Sequence, residues 1–445
     1  MREVRRTVSR RDFLKVSAAA GAGLAIPTIV PSSVFGAEAP SERINVGCIG
    51  VGRMGTGDLG EALGFKQVQV VAVCDLDAKR AAIAQKRVES TYAKRSPGGD
   101  YKGGCAVYGD FRELIARSDI DAVQIATPDH WHTLPALEAA RAGKDIFLQK
   151  PLTLTIHEGR VLSDTVLRYG RVFQVGSQQR SDKEFRTACE LVRNGRVGKL
   201  HTIKVGFGTD PGCGPQPTMP VPENLNYEMW LGPAPWAPYT EERVHPQNSI
   251  TDRPGWLRIS DYGAGMITGW GSHHLDIAHW GMGTEYTGPI EIVGEAEFPK
   301  DGLWDVHGDF RIEYTYANGV KVIAADEKKI KGGVRFEGDK GWVWVTRGAI
   351  DAEPKSLLQE QVGPGETKLY VSNNHKGNFY ECVKSRAPTI APVEVGHRSC
   401  TVCLLGDIAM RTGRKLRWNP DREHFVNDEA ANRMLFRPMR APWHL

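Results

Sequence analysis

The sequence predicts an α/β protein in which a doubly wound parallel sheet is followed by an α+β domain with a large, mostly antiparallel open sheet. Three observations carry this. Apolar strand-like runs alternate with helix-length segments from Ile44 to about Gly176, the pattern of a parallel sheet with helical crossovers. A Gly50-Val51-Gly52-Arg53-Met54-Gly55 turn joins the first strand to the first helix. From Ile290 onward, strand-like runs follow one another without helices between them, which points to antiparallel pairing.

Ile44 to Ile49 reads as a buried strand, the glycine turn follows at once, and a helical pattern runs from about Thr56 to Leu63. A second apolar strand, Val68 to Cys74, ends at Asp75. Gly50 makes the tight turn, Gly52 lets the backbone approach a pyrophosphate, and Gly55 lets the helix sit close to the sheet. The helix N-terminus presents free N–H groups and partial positive charge to phosphates. Asp75, twenty residues after Gly55, is placed to accept hydrogen bonds from an adenosine ribose and to repel a 2′-phosphate. The segment therefore predicts a Rossmann dinucleotide site that favours NAD over NADP.

Further along come helices over Ala78 to Thr91 and from Asp110, with a Gly/Pro-rich insertion, Ser96 to Gly104, between them. A strand over Ala122 to Thr127, a helix over Leu134 to Ala142, a strand over Asp145 to Gln149, a helix over Ile156 to Tyr169 and a strand over Arg171 to Gly176 follow. Ligands of such sheets bind beyond the carboxyl ends of the strands. Three of those ends carry polar residues: Thr127 to His132, Gln149-Lys150-Pro151, and Ser177 to Arg180. Phe185 to Asn194 is helical and Pro211 to Pro254 loop-rich. Strands are expected at Glu291 to Phe298, Asp309 to Tyr316, Val320 to Ala325, Gly333 to Glu337 and Gly341 to Thr346, and helices at Phe379 to Ser385 and His397 to Arg411. Pro438 to Leu445 reads as a surface arm. The expected domains are residues 44–176 for the nucleotide and 177–445 for substrate and oligomerisation.

Residues 1–37 read as an export signal. Ser9-Arg10-Arg11-Asp12-Phe13-Leu14-Lys15 matches the twin-arginine pattern, and Val16 to Val30 is weakly apolar and too short to span a bilayer comfortably. This predicts delivery of an already folded protein to the periplasm or otherwise outside the cytoplasm, with no membrane span in the mature form. A formal net charge of +4 over 445 residues, with signs well mixed, gives no reason to expect nucleic acid as a partner. Of the eight cysteines, Cys48 and Cys74 fall in core strands. Cys400-x-x-Cys403 lies in a helix with no second pair for zinc, so no metal is expected.

Taken together, the Gly50–Gly55 turn, Thr127-Pro128-Asp129-His130-Trp131-His132, Ala142-Gly143-Lys144, Lys150-Pro151 and the run from Gly263 to Asp276 resemble the Gfo/Idh/MocA family of oxidoreductases over nearly the whole chain after Ser41. The resemblance implies that Lys150 is the catalytic lysine, placed to stabilise a developing alkoxide, and that His273 is the catalytic histidine and general base. It implies NAD contacts from Gly50, Val51, Gly52, Arg53, Met54, Gly55, Asp75, Thr127, Pro128, His132, Gln149, Lys150, Pro151 and Gln178. Substrate contacts are expected from His274, Arg180, Asp261, Tyr262, Trp270 and Asp276, with His274 equally readable as structural and Asp276 more readily so. Two positions depart from the family pattern. Gln149 stands where the family has glutamate, and Gly269 where it often has aspartate.

Trp230, Trp236, Trp256, Trp270 and Trp280 crowd the region from Tyr227 to Gly283, and aromatic faces stack on the C–H surfaces of sugars. The expected function is thus an exported NAD-dependent oxidoreductase acting on a sugar, glycoside or polyol with tightly bound cofactor. A redox-neutral NAD-dependent glycoside hydrolase and a non-catalytic sugar-binding protein that retains NAD are the alternatives. A homo-oligomer, dimer or tetramer, through the open sheet is expected.

Overall fold

The computed structural model describes residues 43–96, 101 and 103–445. The export segment and part of the Ser96 to Gly104 insertion lie outside the described residues. Strands β1 (Ile44–Ile49), β2 (Val68–Cys74), β3 (Ala106–Tyr108), β4 (Ala122–Ile125), β5 (Asp145–Leu148) and β6 (Phe173–Val175) form one sheet in the order β3-β2-β1-β4-β5-β6. Every pairing in it is parallel. Strands β4, β5 and β6 are buried at every position, which is why they read as unbroken apolar runs rather than alternating ones.

The crossovers are helices α1 (Arg53–Gly64), α2 (Ala78–Arg95), α3 (Phe111–Ile115), α4 (Thr133–Arg141) and α5 (Ile156–Arg168). Four of the five start at a glycine or at a side chain that caps the free N–H groups; α4 instead continues from His132 with no side-chain cap. The Asp77 side chain caps α2, and Thr155 with Glu158 forms a reciprocal capping box on α5.

The second sheet has nine strands. To β7 (Leu200–Phe207), β8 (Glu291–Ala296), β9 (Phe310–Thr315), β10 (Lys321–Asp326), β11 (Gly333–Gly338), β12 (Gly341–Thr346) and β13 (Ala349–Glu353) it adds β14 (Leu416–Asn419) and β15 (His424–Phe425). The order is β13-β12-β11-β7-β10-β9-β8-β14-β15, antiparallel except where β7 runs parallel to β10. The sequence reading missed β7, although Ile203, Val205 and Phe207 are buried at every second position and hold the sheet's centre.

One face of this sheet is covered by α6 (Lys183–Arg193), α9 (Gly271–Met282) and α11 (Val393–Thr412), with the short α7 (Tyr227–Leu231) and α8 (Met266–Gly269) in the loops before α9. Close approach needs small residues. A Cβ at Gly281 would lie 2.5 Å from the Phe336 ring, and one at Gly406 would lie 2.3 Å from the Tyr314 hydroxyl.

Residues Ile44–Leu445 form one unit. A helix from the C-terminal half, α10 (His375–Ser385), returns to the parallel sheet: Phe379, Tyr380 and Cys382 pack with Val46, Cys48 and Phe147. It starts four residues before the expected Phe379 because the Asn374 side chain caps Gly377 N. The C-terminal tail is better anchored than a surface arm. Trp443 packs edge-on to Trp131 with centroids 4.8 Å apart, and Arg440 donates to Gly232 O at 3.1 Å. Among the described residues no helix is long and apolar enough to cross a membrane.

Candidate functional site

A crevice with about 1150 Å³ of space, its open mouth included, lies at the carboxyl ends of β1, β2, β4 and β5. The glycine turn forms its floor. Gly50 has φ +78°, and a Cβ there would lie 2.7 Å from the Ala126 carbonyl. A Cβ on Gly55 would sit 1.9 Å from Gly50 O, so only glycine lets α1 start this close to the strand. Gly52 caps α1 without any side-chain hydrogen bond, leaving the first N–H groups of the helix for a ligand's phosphates.

Asp75 stands at the crevice wall. Its oxygens accept from Val51 N and Asp77 N, both at 2.9 Å, which fixes the carboxylate while leaving lone pairs for a ribose diol. Burial raises its pKa against the pull of those two N–H groups. Beside it lies Arg80, buried, donating to Pro246 O and Ser249 O at 3.2 and 3.3 Å. His245 hydrogen-bonds Asp77 at 3.0 Å. Burial acts to raise the Asp77 pKa, but the bonds from His245 and Asn224 outweigh it and bring it down to about 2. Neither Arg80 nor His245 was identified from sequence. His245 arrives from a loop 168 residues away, and nothing local announces it.

Past the turn, Thr127, Pro128, Asp129, His132, Gln149 and Lys150 line the crevice. His132 lies 2.6 Å from Pro151 O and 2.9 Å from Thr127 O; burial lowers its pKa to about 4 against the pull of these carbonyls, and the ring N–H ties the loop to one of them. Lys150 Nζ donates to Gly269 O at 3.0 Å. Burial lowers the Lys150 pKa, Asp129 opposes this, and the guanidiniums of Arg253, Arg347 and Arg53 add to it. Asp129 in turn is pushed up to about 7 by burial, with Lys150 pulling the other way. Asp129 lines the same crevice and is the carboxylate that opposes the fall in the Lys150 pKa.

His273, on α9, is buried with Nδ1 unpartnered. Burial holds its pKa well below the usual range, and Lys150 adds to this. Its neighbour His274 meets Gly206 O at 3.1 Å and faces the sheet. Trp270 packs on both imidazoles at 5.8 and 5.5 Å.

Gln149 explains itself through its partners. Its Nε2 donates to both oxygens of Asp58 at 3.0 and 2.9 Å, and Lys376 Nζ lies 3.1 Å from the same carboxylate. With Asp58 already there, a donor suits position 149 and a second carboxylate does not.

Several expected substrate contacts lie elsewhere. Arg180 and Asp276 are corrected to a buried ion pair: their side chains are 2% and 1% exposed, joined at 2.6 and 2.8 Å. Glu285 and the Trp280 ring complete the Arg180 shell, and Ser399 donates to Asp276 at 2.6 Å. Both charges are therefore spent on tying α9 to the chain after β6. Tyr262 is corrected to core; it is fully buried between Trp230 and His130. Asp261 lines a different cavity, with Arg411, Arg437 and Glu158. Gln178 is half-buried and does not line the crevice. Of the aromatic set, Trp280 is core and Trp236 is exposed, which leaves Trp256 and Trp230 lining the crevice, while Trp270 packs on His273 and His274.

Residues 44–177 match the family model described as the NAD-binding Rossmann fold of the GFO_IDH_MocA oxidoreductases, and residues 211–445 match that family's C-terminal alpha/beta domain. The chain belongs to the Gfo/Idh/MocA oxidoreductase family. Its cofactor is NAD. Residues 7–27 match a twin-arginine translocation signal, which marks the protein for export.

An alpha-N-acetylgalactosaminidase of Shewanella oneidensis is 32% identical over 209 residues, 43% of this chain and 44% of that protein. The match thus spans less than half of either. Two solved structures share the fold. The WlbA dehydrogenase of Bordetella pertussis, in complex with NADH and UDP-GlcNAcA, has TM-score 0.61 at 16% identity, covering 85% of this chain and 99% of its own. The scyllo-inositol dehydrogenase of Lactobacillus casei, with NAD(H) and scyllo-inositol, has TM-score 0.56 at 16% identity, covering 84% and 99%.

Proposed function

We propose that this exported protein oxidises a secondary hydroxyl of a sugar, glycoside or polyol, with NAD held throughout. The observation that carries the reading is Lys150 at the crevice wall, beside the carboxyl end of β5, its Nζ held by Gly269 O at 3.0 Å and Asp129 lining the same crevice. Bound NAD⁺ supplies the hydride acceptor. The hydroxyl proton passes to Asp129, the C–H electron pair leaves as hydride, and the carbinol carbon becomes a carbonyl. Lys150 stabilises the developing alkoxide, and neutral His273, with Nδ1 free, is the second proton acceptor. Residues 44–176 hold the nucleotide on this reading, and 177–445 supply the substrate wall. The charged open face of the nine-stranded sheet, where Lys204 pairs Glu337 and Lys321 pairs Glu313 at 3.0 and 2.7 Å, is the surface proposed to meet a second copy; light scattering of the purified chain checks it.

A second reading is favoured by the similarity to the Shewanella galactosaminidase. There the oxidation would be transient: the ketone acidifies the neighbouring C–H, elimination expels the aglycone, water adds, and the hydride returns. One experiment separates the two. Chromogenic glycosides and free polyols are screened for absorbance at the NADH band and for released aglycone. Net NADH without aglycone supports the dehydrogenase, and aglycone without net NADH supports the hydrolase. Lys150→Ala should lower either rate by ~10²–10⁴-fold while retaining nucleotide. A variant within a few-fold of wild type would remove Lys150 from the chemistry.

A further inference from the structure

Three cationic side chains from distant parts of the chain converge on the turn from Met266 to Trp270. Lys150 Nζ donates to Gly269 O at 3.0 Å. The Arg253 guanidinium lies 3.3 Å from Met266 Sδ. Arg347, on the two-residue tip between β12 and β13, lies 4.8 Å above the Trp270 ring. Acids balance them only in part: Asp129 lines the crevice with Lys150 but makes no ion pair with it among the described residues. Asp210 meets Arg253 at 2.7 Å but also serves Arg258 at 3.2 Å. Asp182, the carboxylate facing Arg347, caps α6 instead, and Arg347 makes no ion pair among the described residues.

The turn also leaves room. A Cβ at Gly269 would meet only Met266 Sδ, at 3.8 Å, so open space adjoins the carbonyl that holds Lys150. Two polar atoms near it wait for partners: Nδ1 of His273, itself 4% exposed, and Nε of Arg253. Crowded cations in a partly desolvated crevice are costly unless something supplies the missing charge. A guanidinium stacked on an aromatic face keeps its N–H edge free for a planar or tetrahedral anion.

We propose that the sugar taken by this site carries an anionic substituent, a carboxylate or a sulfate ester, seated over Gly269 between Lys150, Arg253 and Arg347. The proposal rests on the oxidoreductase reading above and names its substrate class.

The test uses the purified NAD-loaded chain and calorimetry with matched pairs: methyl glucuronide against methyl glucoside, methyl galacturonide against methyl galactoside, and glucose 6-sulfate against glucose. At least one acid should bind about 10- to 100-fold tighter than its neutral partner, the range of a charge-assisted hydrogen bond, and the preference should shrink with added salt. Preference confined to uronides assigns a carboxylate; preference confined to the sulfated sugar assigns a sulfate ester. Arg347→Gln should erase most of the ratio and Arg347→Lys should restore part of it, with bound NAD unchanged as the check on folding. Arg253→Gln gives an independent arm. Acids binding no better than their partners, no binding by any acid, or an unchanged ratio in both glutamine variants overturns the proposal. An acid that binds tightly without nicotinamide reduction or cleavage instead counts against the oxidoreductase reading and leaves the charge assignment standing.

Discussion

Asp129 is the residue that changes most between sequence and structure. Its carboxyl is pushed up to about 7 by burial, with Lys150 pulling the other way, so near neutrality Asp129 can take up or release a proton. Below that pH, Asp129 is protonated and cannot accept the substrate proton; above it, the acceptor is open. Hydride removal should therefore rise as pH climbs through about 7, and in Asp129→Asn this limb should vanish. A pH–rate profile identical in both proteins would assign the limb elsewhere. A second residue-scale expectation concerns Gln149. Gln149→Glu would set two carboxylates against each other with only Lys376 between them, a cost of about 3 kcal/mol or more on the scale of an uncompensated buried charge. Chemical denaturation should show the loss, and Asp58→Asn added to it should recover most of it. The glycine turn, Asp75 and Lys150 were legible in the sequence because each sits in a local motif. Arg180 and Asp276 were misread because their bond joins positions 96 residues apart, and a polar residue at a strand end looks the same whether it faces a ligand or a partner.

The first crossover shows how an element carries function. Helix α1 must begin within touching distance of the strand for its N–H groups to reach phosphate, and Gly55 alone permits it. Gly55→Ala forces a Cβ to within 1.9 Å of a backbone oxygen, which side-chain motion cannot relieve, so the helix must shift. The expected result is a loss of about 1–3 kcal/mol together with released nucleotide. Gly57→Ala, in the same helix with nothing within 4 Å of its Cβ, should instead gain up to about 1 kcal/mol from helix propensity. Equal melting temperatures and nucleotide contents for the two variants would show that packing at Gly55 is not the constraint. The same scale explains what was readable in the fold. Parallel strands buried on both faces announce themselves as continuous apolar runs, and β12 was placed to the residue. β7 was missed because Leu200 to Phe207 carries Thr202 and Lys204 on its open face and the exposed His201 at its start, and because it pairs with β10 and β11 more than a hundred residues later.

At the scale of the whole molecule, export and cofactor impose a joint condition. A twin-arginine signal carries a folded chain, and no pool of NAD awaits it outside the cytoplasm, so nucleotide bound before export has to stay. Retention through dilution to micromolar protein needs a dissociation constant on the order of 10 nM, or about 11 kcal/mol. The uncapped start of α1, the fixed Asp75 carboxylate and the wall added by Met229, Trp230 and Trp256 from the second half of the chain are the groups available to supply it. Because nucleotide binds only the native state, stripping it should also lower the melting temperature, by mass action. The measurement is direct: mature protein is isolated from the exported fraction, denatured, and assayed for released NAD. Close to one nucleotide per chain is expected. A value far below one, with activity restored only by added NAD, would mean that the cofactor exchanges freely and that each turnover cannot be closed within a single bound molecule.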